Sequence, residues 1–297
     1  MTDPTHKPRP PARRDFRFFH RLRVRWVEVD MQKIVFNGHY LMYADTAVAD
    51  YWRALGLPYE EAMHQLGGDL YVKKASVEYF ASARMDDRLD IALRCARIGN
   101  SSMLFEGAIF RGHQRLIGGE LLYVFADPAT QTSRAVPAPL REALTAFEAG
   151  ETMLETRLGS WNELGADAGA LRTRVFVKEQ GIAPELEWDE ADASALHAVV
   201  FNRLRQPVAT GRLVHHAPGV GKIGRVAVHE ALRGGGAGQQ VMQALVDAAR
   251  RRGDTEIMLH AQRSAENFYA RLGFAPRGEP FDEVGIPHIE MAMPLAR

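Results

Sequence analysis

From Arg233 to Gly238 the chain reads Arg-Gly-Gly-Gly-Ala-Gly, and no other run so narrows what it can fold into. An apolar, strand-like segment (Ile223 to Val228) precedes it, and a helix-like one (Gln239 to Arg250) follows. Such a loop turns several backbone N–H groups toward one point, and only glycine lets another molecule approach the backbone so closely. A helix that starts right behind it adds the positive end of its dipole, so a phosphate or pyrophosphate is the natural guest. The C-terminal half is therefore predicted to bind a nucleotide-type cofactor. Taken alone, a glycine-rich turn is more often only a flexible loop, so the reading needs further residues.

Two common phosphate loops fail on spacing. A Walker-type loop needs Gly-Lys followed by Ser or Thr, whereas Gln239 and Gln240 follow Gly238 here. A dinucleotide fingerprint counted from Gly234 needs glycine at the sixth position, where Gln239 stands. What remains is Arg-x-x-Gly-x-Gly behind the strand Arg225-Val226-Ala227-Val228. Further on come Ile257-Met258-Leu259-His260-Ala261-Gln262, Ser264, Asn267-Phe268-Tyr269 and Leu272-Gly273-Phe274. Arg174-Val175-Phe176-Val177-x-Glu179-Gln180 lies upstream, and Glu283-x-Gly285-Ile286-Pro287-His288-x-x-Met291 downstream. Together these ordered motifs, over residues 155 to 297, resemble the GNAT acetyltransferase superfamily.

That resemblance implies direct attack of an amine on the acetyl group of acetyl-CoA, without an acyl-enzyme. Catalysis is then alignment of two substrates plus proton handling. Backbone N–H groups of Arg233, Gly234, Gly236, Ala237 and Gly238 would hold the pyrophosphate, and Val226 and Val228 would pair with the pantetheine arm. Asn267 falls in the second half of the cofactor site. Tyr269 stands where the family places the acid that protonates the departing thiolate, the alternative being an aromatic packed in the core. The base stays open among Glu187, Glu283, His288 and a water-mediated route.

The first half follows a different plan. Leu22 to Asp30 alternates apolar and polar residues, the period of a half-buried strand. From Tyr40 to Leu55 there is no Pro or Gly, and Leu41, Ala44, Val48, Tyr51, Trp52 and Leu55 recur at helical spacing, predicting a helix with one buried face. Strand-like segments follow near 70–80, 88–98, 102–112 and 115–126. A strand, a long helix and an antiparallel meander is the order of a hotdog fold. Arg25-x-x-Glu28-x-Asp30-x-x-x-Ile34-Val35-Phe36-Asn37-x-x-Tyr40-Leu41, with Asp45 beyond, resembles the 4-hydroxybenzoyl-CoA thioesterase family over residues 18 to 147.

Asp30 matches that family's catalytic carboxylate, which can act as nucleophile or as base toward water. Gly38, His39 and Tyr40 open the helix whose free N–H groups and dipole would receive the thioester oxygen. The bland alternative is that Asp30 only caps a turn. Lys33 stands where the family often has glycine, and its side chain is expected to narrow the pocket. The resemblance further implies a homodimer or homotetramer through this half, because such sites are built between subunits.

Lys and Arg together number 37, as do Asp and Glu, which argues against a broad nucleic-acid footprint. No apolar run approaches the roughly 20 residues of a membrane span. The N-terminus lacks a signal peptide's apolar core, so a cytoplasmic location is expected. Cys95 is the only cysteine and the histidines fall in no ligating pattern, so no metal is expected. At 297 residues, two domains are the default.

The expected organisation is a disordered tail (1–17), a hotdog domain (18–150; an antiparallel sheet wrapped around a long helix, α+β) and a GNAT domain (151–297; a mixed α/β sheet flanked by helices). The expected function is acyl-CoA hydrolysis by the first domain and acyl transfer from CoA to an amine by the second. Acyl-CoA and acetyl-CoA enter as substrates, with no tightly bound cofactor. The alternative is that one domain is inactive and the hotdog half serves as a dimerisation or acyl-CoA-binding module. Acyl-homoserine lactone synthesis on a related fold is disfavoured by the intact Arg-x-x-Gly-x-Gly loop.

Overall fold

The structure, a computed structural model, describes residues 11–295. It separates into two compact units, Met1–Met153 and Leu154–Arg297. No helix among the described residues is long and apolar enough to cross a membrane.

In the first unit, β1 (Phe18–Arg23), α1 (His39–Ala54) and α2 (Tyr59–Leu66) precede β2 (Asp69–Tyr79), β3 (Arg88–Ile98), β4 (Ser102–Arg111), β5 (Gln114–Ala126) and α3 (Ala138–Ala149). The five strands pair antiparallel in the order β1-β3-β4-β5-β2. Helix α1 packs on this sheet through Tyr40, Tyr43, Ala47, Val48, Tyr51 and Trp52. Tyr51 is the centre of the packing, with the rings of Phe18, Phe105 and Phe147 edge-on at 5.4, 5.4 and 5.0 Å. Its hydroxyl donates to Glu148 at 2.5 Å, and Glu148 also accepts the Cys95 N–H at 2.8 Å. Burial pushes the Cys95 thiol up to about 12, so it stays protonated at neutral pH.

Several sequence expectations change here. The strand predicted over Leu22 to Asp30 ends at Arg23, and Trp26–Glu28 forms a tight 3-10 turn. Glu28 causes the departure, because its carboxylate folds back to accept the Arg25 N–H (2.6 Å) and the Tyr43 hydroxyl (2.8 Å). The alternation therefore places Trp26 and Val27 in solvent, 78% and 70% exposed, rather than on the core side of a strand. In α1 the buried stripe is rotated at its start. Leu41 is 40% exposed, and Tyr40 and Tyr43 take the inner positions expected for Leu41 and Ala44. The tail reading for residues 1–10 lies outside the described residues. Farther along, Phe16 is 5% exposed against Phe110, and Arg13 pairs with Asp90 at 2.5 Å, so the end of the expected arm is tied to the domain. Gly150, the expected boundary, is the left-handed cap (φ 89°) that ends α3.

The second unit runs β6 (Leu154–Gly159), α4 (Trp161–Arg172), a π-helical segment (Thr173–Glu179), the short α5 (Pro184–Glu187) and α6 (Ala191–Ser194), β7 (Leu196–Asn202), β8 (Pro207–Ala217), β9 (Val220–Val228), α7 (Ala237–Arg252), β10 (Glu256–Gln262), α8 (Glu266–Ala270), β11 (Ala275–Glu283) and β12 (Ile286–Pro294). Its seven strands order as β11-β12-β10-β9-β8-β7-β6, with only β9 and β10 parallel. Leu213, Ile223, Leu259 and Ile289 face α7, which contributes Val241, Met242 and Leu245 to one apolar core. Ala227 packs on the other side with Leu171, Val175 and Phe176.

Candidate functional site

In the second unit the site starts from a failure of strand pairing. Strands β9 and β10 are in register only from Glu256↔Val220 to Met258↔Lys222, yet β9 continues to Val228 and β10 to Gln262. A register break on the β8 side adds to this between Thr210↔Ala227 and Arg212↔Gly224, with Arg225 left-handed at φ 52°. Such a bulge bends a strand and increases its twist. The strands therefore part, leaving residues 223–228 with backbone groups that no β10 residue engages.

The glycine run stands at the end of that opened strand. Gly234 and Gly236 are left-handed at φ 81° and 92°, a backbone state that costs other residues about 1–2 kcal/mol. The N–H groups of Arg233 and Gly235 bond to Glu230 and Leu232 carbonyls at 3.4 and 3.1 Å. Those of Gly234, Gly236, Ala237 and Gly238 have no backbone acceptor among the described residues, since the first turn of α7 has no preceding carbonyls to use. A Cβ on Gly238 would lie 3.1 Å from Val228 and 3.5 Å from the Phe268 ring, so the turn sits tightly against β9 and α8. Two expected contacts are partly taken. The Arg233 guanidinium forks onto Glu179 (2.6 and 2.5 Å), and its Nε donates to the Val228 carbonyl at 3.2 Å. Arg233 thus braces the loop, and Asn267 is exposed on α8.

Beside the gap lies a cavity of about 330 Å³, within the range of small-molecule sites. Its walls include Arg212, Lys222, His260 and His288, alternate strand residues on the face away from α7. Val226, Leu259 and Tyr269, which belong to the α7 side, also line it. Tyr269 is 9% exposed, and burial pushes its phenol up to about 12, so it carries its proton at neutral pH. All of Glu187, Glu283 and His288 line this one cavity, together with His260, which the sequence reading passed over as a base.

Glu187 belongs to a buried ionic network. Arg172, 1% exposed with Trp161 and Trp188 ring centroids 5.5 and 4.8 Å away, reaches Glu187 at 2.5 Å and Asp192 at 2.7 Å. Arg212 bridges Asp192 and Asp189 (2.7 and 2.5 Å), and Arg225 joins Asp189 at 3.1 Å. Burial alone would raise the Asp192 carboxyl, but the two guanidiniums outweigh it and hold it below the usual range. The network clamps the segment containing α5 and α6 as one wall of the cavity. No periodicity marks it, because its members are far apart in sequence.

In the first unit Asp30 opens a closed turn. Its N–H donates to Ile34 O, its carbonyl accepts the Lys33 N–H, and its Oδ1 accepts the Gln32 N–H, at 2.9, 2.9 and 2.8 Å. The capping role is thus present, while Oδ2 has no protein hydrogen bond among the described residues. Glu28, 2% exposed, fixes the approach to this turn. Burial would raise its carboxyl, yet bonds from Arg25 and Tyr43 hold it below the usual range. Phe36 N–H returns to Glu28 O at 2.9 Å, and α1 begins directly afterwards. Gly38 caps the helix, whereas the Tyr40 side chain turns inward and its hydroxyl accepts the Ala83 N–H at 2.9 Å. Of Tyr40, only the backbone remains for a ligand. Asp45 is exposed.

The Lys33 side chain is exposed, and its backbone is left-handed at φ 61°, the state glycine adopts freely. Replacing Lys33 with Gly is expected to raise stability by about 1 kcal/mol, read as a higher urea midpoint. A lowered midpoint would contradict this account of the turn. Near the loop, Met31 (99%), Phe36 (51%), Met42 (57%) and Tyr79 (54%) are exposed apolar side chains, with the Tyr79 hydroxyl 3.3 Å from Asn37 O. Patches of such side chains mark interaction or ligand surfaces. No group of three or more His, Cys, Asp or Glu that could hold a metal occurs among the described residues.

Two protein families match this chain. Residues 166–295 match the acetyltransferase (GNAT) domain family, and residues 32–117 match the thioesterase superfamily. The uncharacterized N-acetyltransferase YjcF of Bacillus subtilis is 38% identical over 126 residues, covering 42% of this chain and 89% of the relative. Among solved structures, an acyl-CoA N-acyltransferase from Pseudomonas aeruginosa is 34% identical, covers 47% of this chain and 99% of its own, and has a TM-score of 0.43. A 1,4-dihydroxy-2-naphthoyl-CoA thioesterase from Synechocystis, 18% identical, covers 43% and 95% at a TM-score of 0.40.

Proposed function

Since the C-terminal half of this chain belongs to the GNAT acetyltransferases and the N-terminal half to the thioesterase superfamily, we propose that it is a bifunctional enzyme of CoA thioesters. The second unit transfers an acetyl or related acyl group from CoA to an amine. One observation carries this reading: free N–H groups of a glycine turn stand beside a gap between parallel strands, and a protonated Tyr269 lines the cavity at that gap. The pyrophosphate rests on the N–H groups of Gly234, Gly236, Ala237 and Gly238. The pantetheine arm takes the place of the missing β10 pairing along Val226 and Val228, and Asn267 flanks it. Tyr269 gives its proton to the thiolate as the C–S bond breaks. Replacing it with Phe should lower kcat about 10²-fold while leaving the Kd for acetyl-CoA within twofold. Equal kcat in parent and variant would remove Tyr269 from the mechanism.

The first unit hydrolyses an acyl-CoA, with Asp30 acting on the thioester or on water and the start of α1 (Gly38, His39, Tyr40 N–H) facing the developing oxyanion. The exposed apolar side chains and the free outer edge of β2 support a homodimer or higher assembly, whose partner would close the acyl site. The test is mass spectrometry of full-length protein with acetyl-CoA and longer acyl-CoAs, following free acid in one series. In the other, N-acyl product is followed with benzylamine, L-lysine and spermidine as probe amines. Hydrolysis without transfer, or the reverse, would reduce the other unit to a binding or dimerisation module.

A further inference from the structure

We propose that His260 is the proton acceptor of the transferase cavity and that Glu283 positions it; this deepens the transferase reading and rests on it. His260 lies on β10, two residues past the last β9 pairing, where the strands have begun to part. Glu283 ends β11 and places Oε2 3.2 Å from His260 Nδ1. The Phe281 ring stands edge-on to the imidazole at 4.9 Å and fixes its plane from the same strand. A carboxylate only accepts hydrogen bonds, so Nδ1 is the protonated nitrogen of the pair. In the neutral imidazole Nε2 then carries the lone pair, and no protein group among the described residues engages it. A carboxylate behind an imidazole, with the far nitrogen bare, is the arrangement that sets the tautomer of a general base.

The competing groups of the cavity are otherwise engaged. Glu187, Asp189, Arg212 and Arg225 bond to one another or to Arg172. His288 is 9% exposed, stacks on Phe281 at 6.1 Å, and holds a backbone carbonyl, Ile286 O, at 2.8 Å rather than a carboxylate. Lys222 is an ammonium, with no lone pair to offer. Among the described residues that line the cavity, His260 is left as the one side chain with both an orienting anion and a bare nitrogen. Tyr269 lines the same cavity from the α7 side of the sheet, so an acid and a base both face it.

The step balances with these two groups alone. The neutral amine nitrogen attacks the thioester carbon, forming a C–N bond as the C–S bond breaks. The surplus proton on nitrogen passes to His260 Nε2, and the thiolate takes the Tyr269 proton. Imidazolium then releases its proton to solvent, and the phenolate regains one.

Full-length protein is assayed with acetyl-CoA and the probe amines benzylamine, L-lysine and spermidine, following N-acetyl product by mass spectrometry. His260→Gln should lower kcat about 10²-fold or more with KM for acetyl-CoA within twofold. Glu283→Gln should lower kcat about tenfold, again without a change in KM, and His288→Gln should change it less. Added imidazole should restore turnover to His260→Gly, and not to Glu283→Gln, which a merely structural role for His260 would not produce. Turnover by His260→Gln at the parent rate, or no imidazole rescue, overturns the dyad. A parent protein that acetylates none of the amines overturns the transferase reading itself, a result visible before any variant is made.

Discussion

Asp30→Asn is expected to reduce acyl-CoA hydrolysis about 10³-fold without lowering the melting temperature. The substitution separates the capping role seen in the structure from the proposed catalytic one. An asparagine Oδ1 still accepts the Gln32 N–H, so the turn that Asp30 caps at 2.8 Å stays closed. What disappears is the negative charge and the basic or nucleophilic oxygen, Oδ2. Hydrolysis is measured as thiol release from full-length protein over a range of acyl chain lengths. A variant that hydrolyses as fast as the parent would leave Asp30 as a cap alone. A fall in melting temperature in step with activity would point to the same structural role.

The largest stability effect is expected at Arg172. Its guanidinium holds Glu187 and Asp192 in a site where it is itself 1% exposed, beside the rings of Trp161 and Trp188. Removing one partner of a buried ionic group strands the others, at a cost of about 3–5 kcal/mol. Arg172→Met keeps much of the side-chain volume against the two tryptophans, so the loss measures charge rather than packing. Unfolding of the full chain in urea should show the transition of the second unit moved to much lower denaturant, with that of the first unit unmoved. A shift of under about 1 kcal/mol would mean that Arg212 alone neutralises the cluster. Because the network forms the cavity wall, a variant that folds should also lose transfer more than acetyl-CoA binding.

Local patterns were the legible part of this chain. The glycine run, with its strand before and helix after, could be placed from sequence because backbone conformation and spacing alone define it. The meander β2 to β5 was read with its ends nearly in place, since alternation and turn residues are local signals. Three features escaped, each depending on a contact distant in sequence or on a single side chain. Glu28 folds back onto Arg25 and Tyr43, ending the strand that alternation had carried to Asp30. The Arg172 network joins residues from α4, the α5–α6 segment, β8 and β9, and no window of sequence holds them together. His260 looked like one strand residue among several until β11 brought Glu283 against it. Lys33, where the family often has glycine, stands in a left-handed backbone at φ 61°, a conformation that the residue type alone does not reveal.

In the proposed function each half of this chain takes up the same kind of molecule, a CoA thioester. The direct test is calorimetric titration of the full-length protein with a thioether analogue of acetyl-CoA, which neither unit can cleave. Two saturable sites per chain are expected, and Gly236→Val, which forces a β-branched residue into a left-handed turn at φ 92°, should remove one and spare the other. No heat of binding, or uptake that Gly236→Val leaves intact at both sites, would contradict the account.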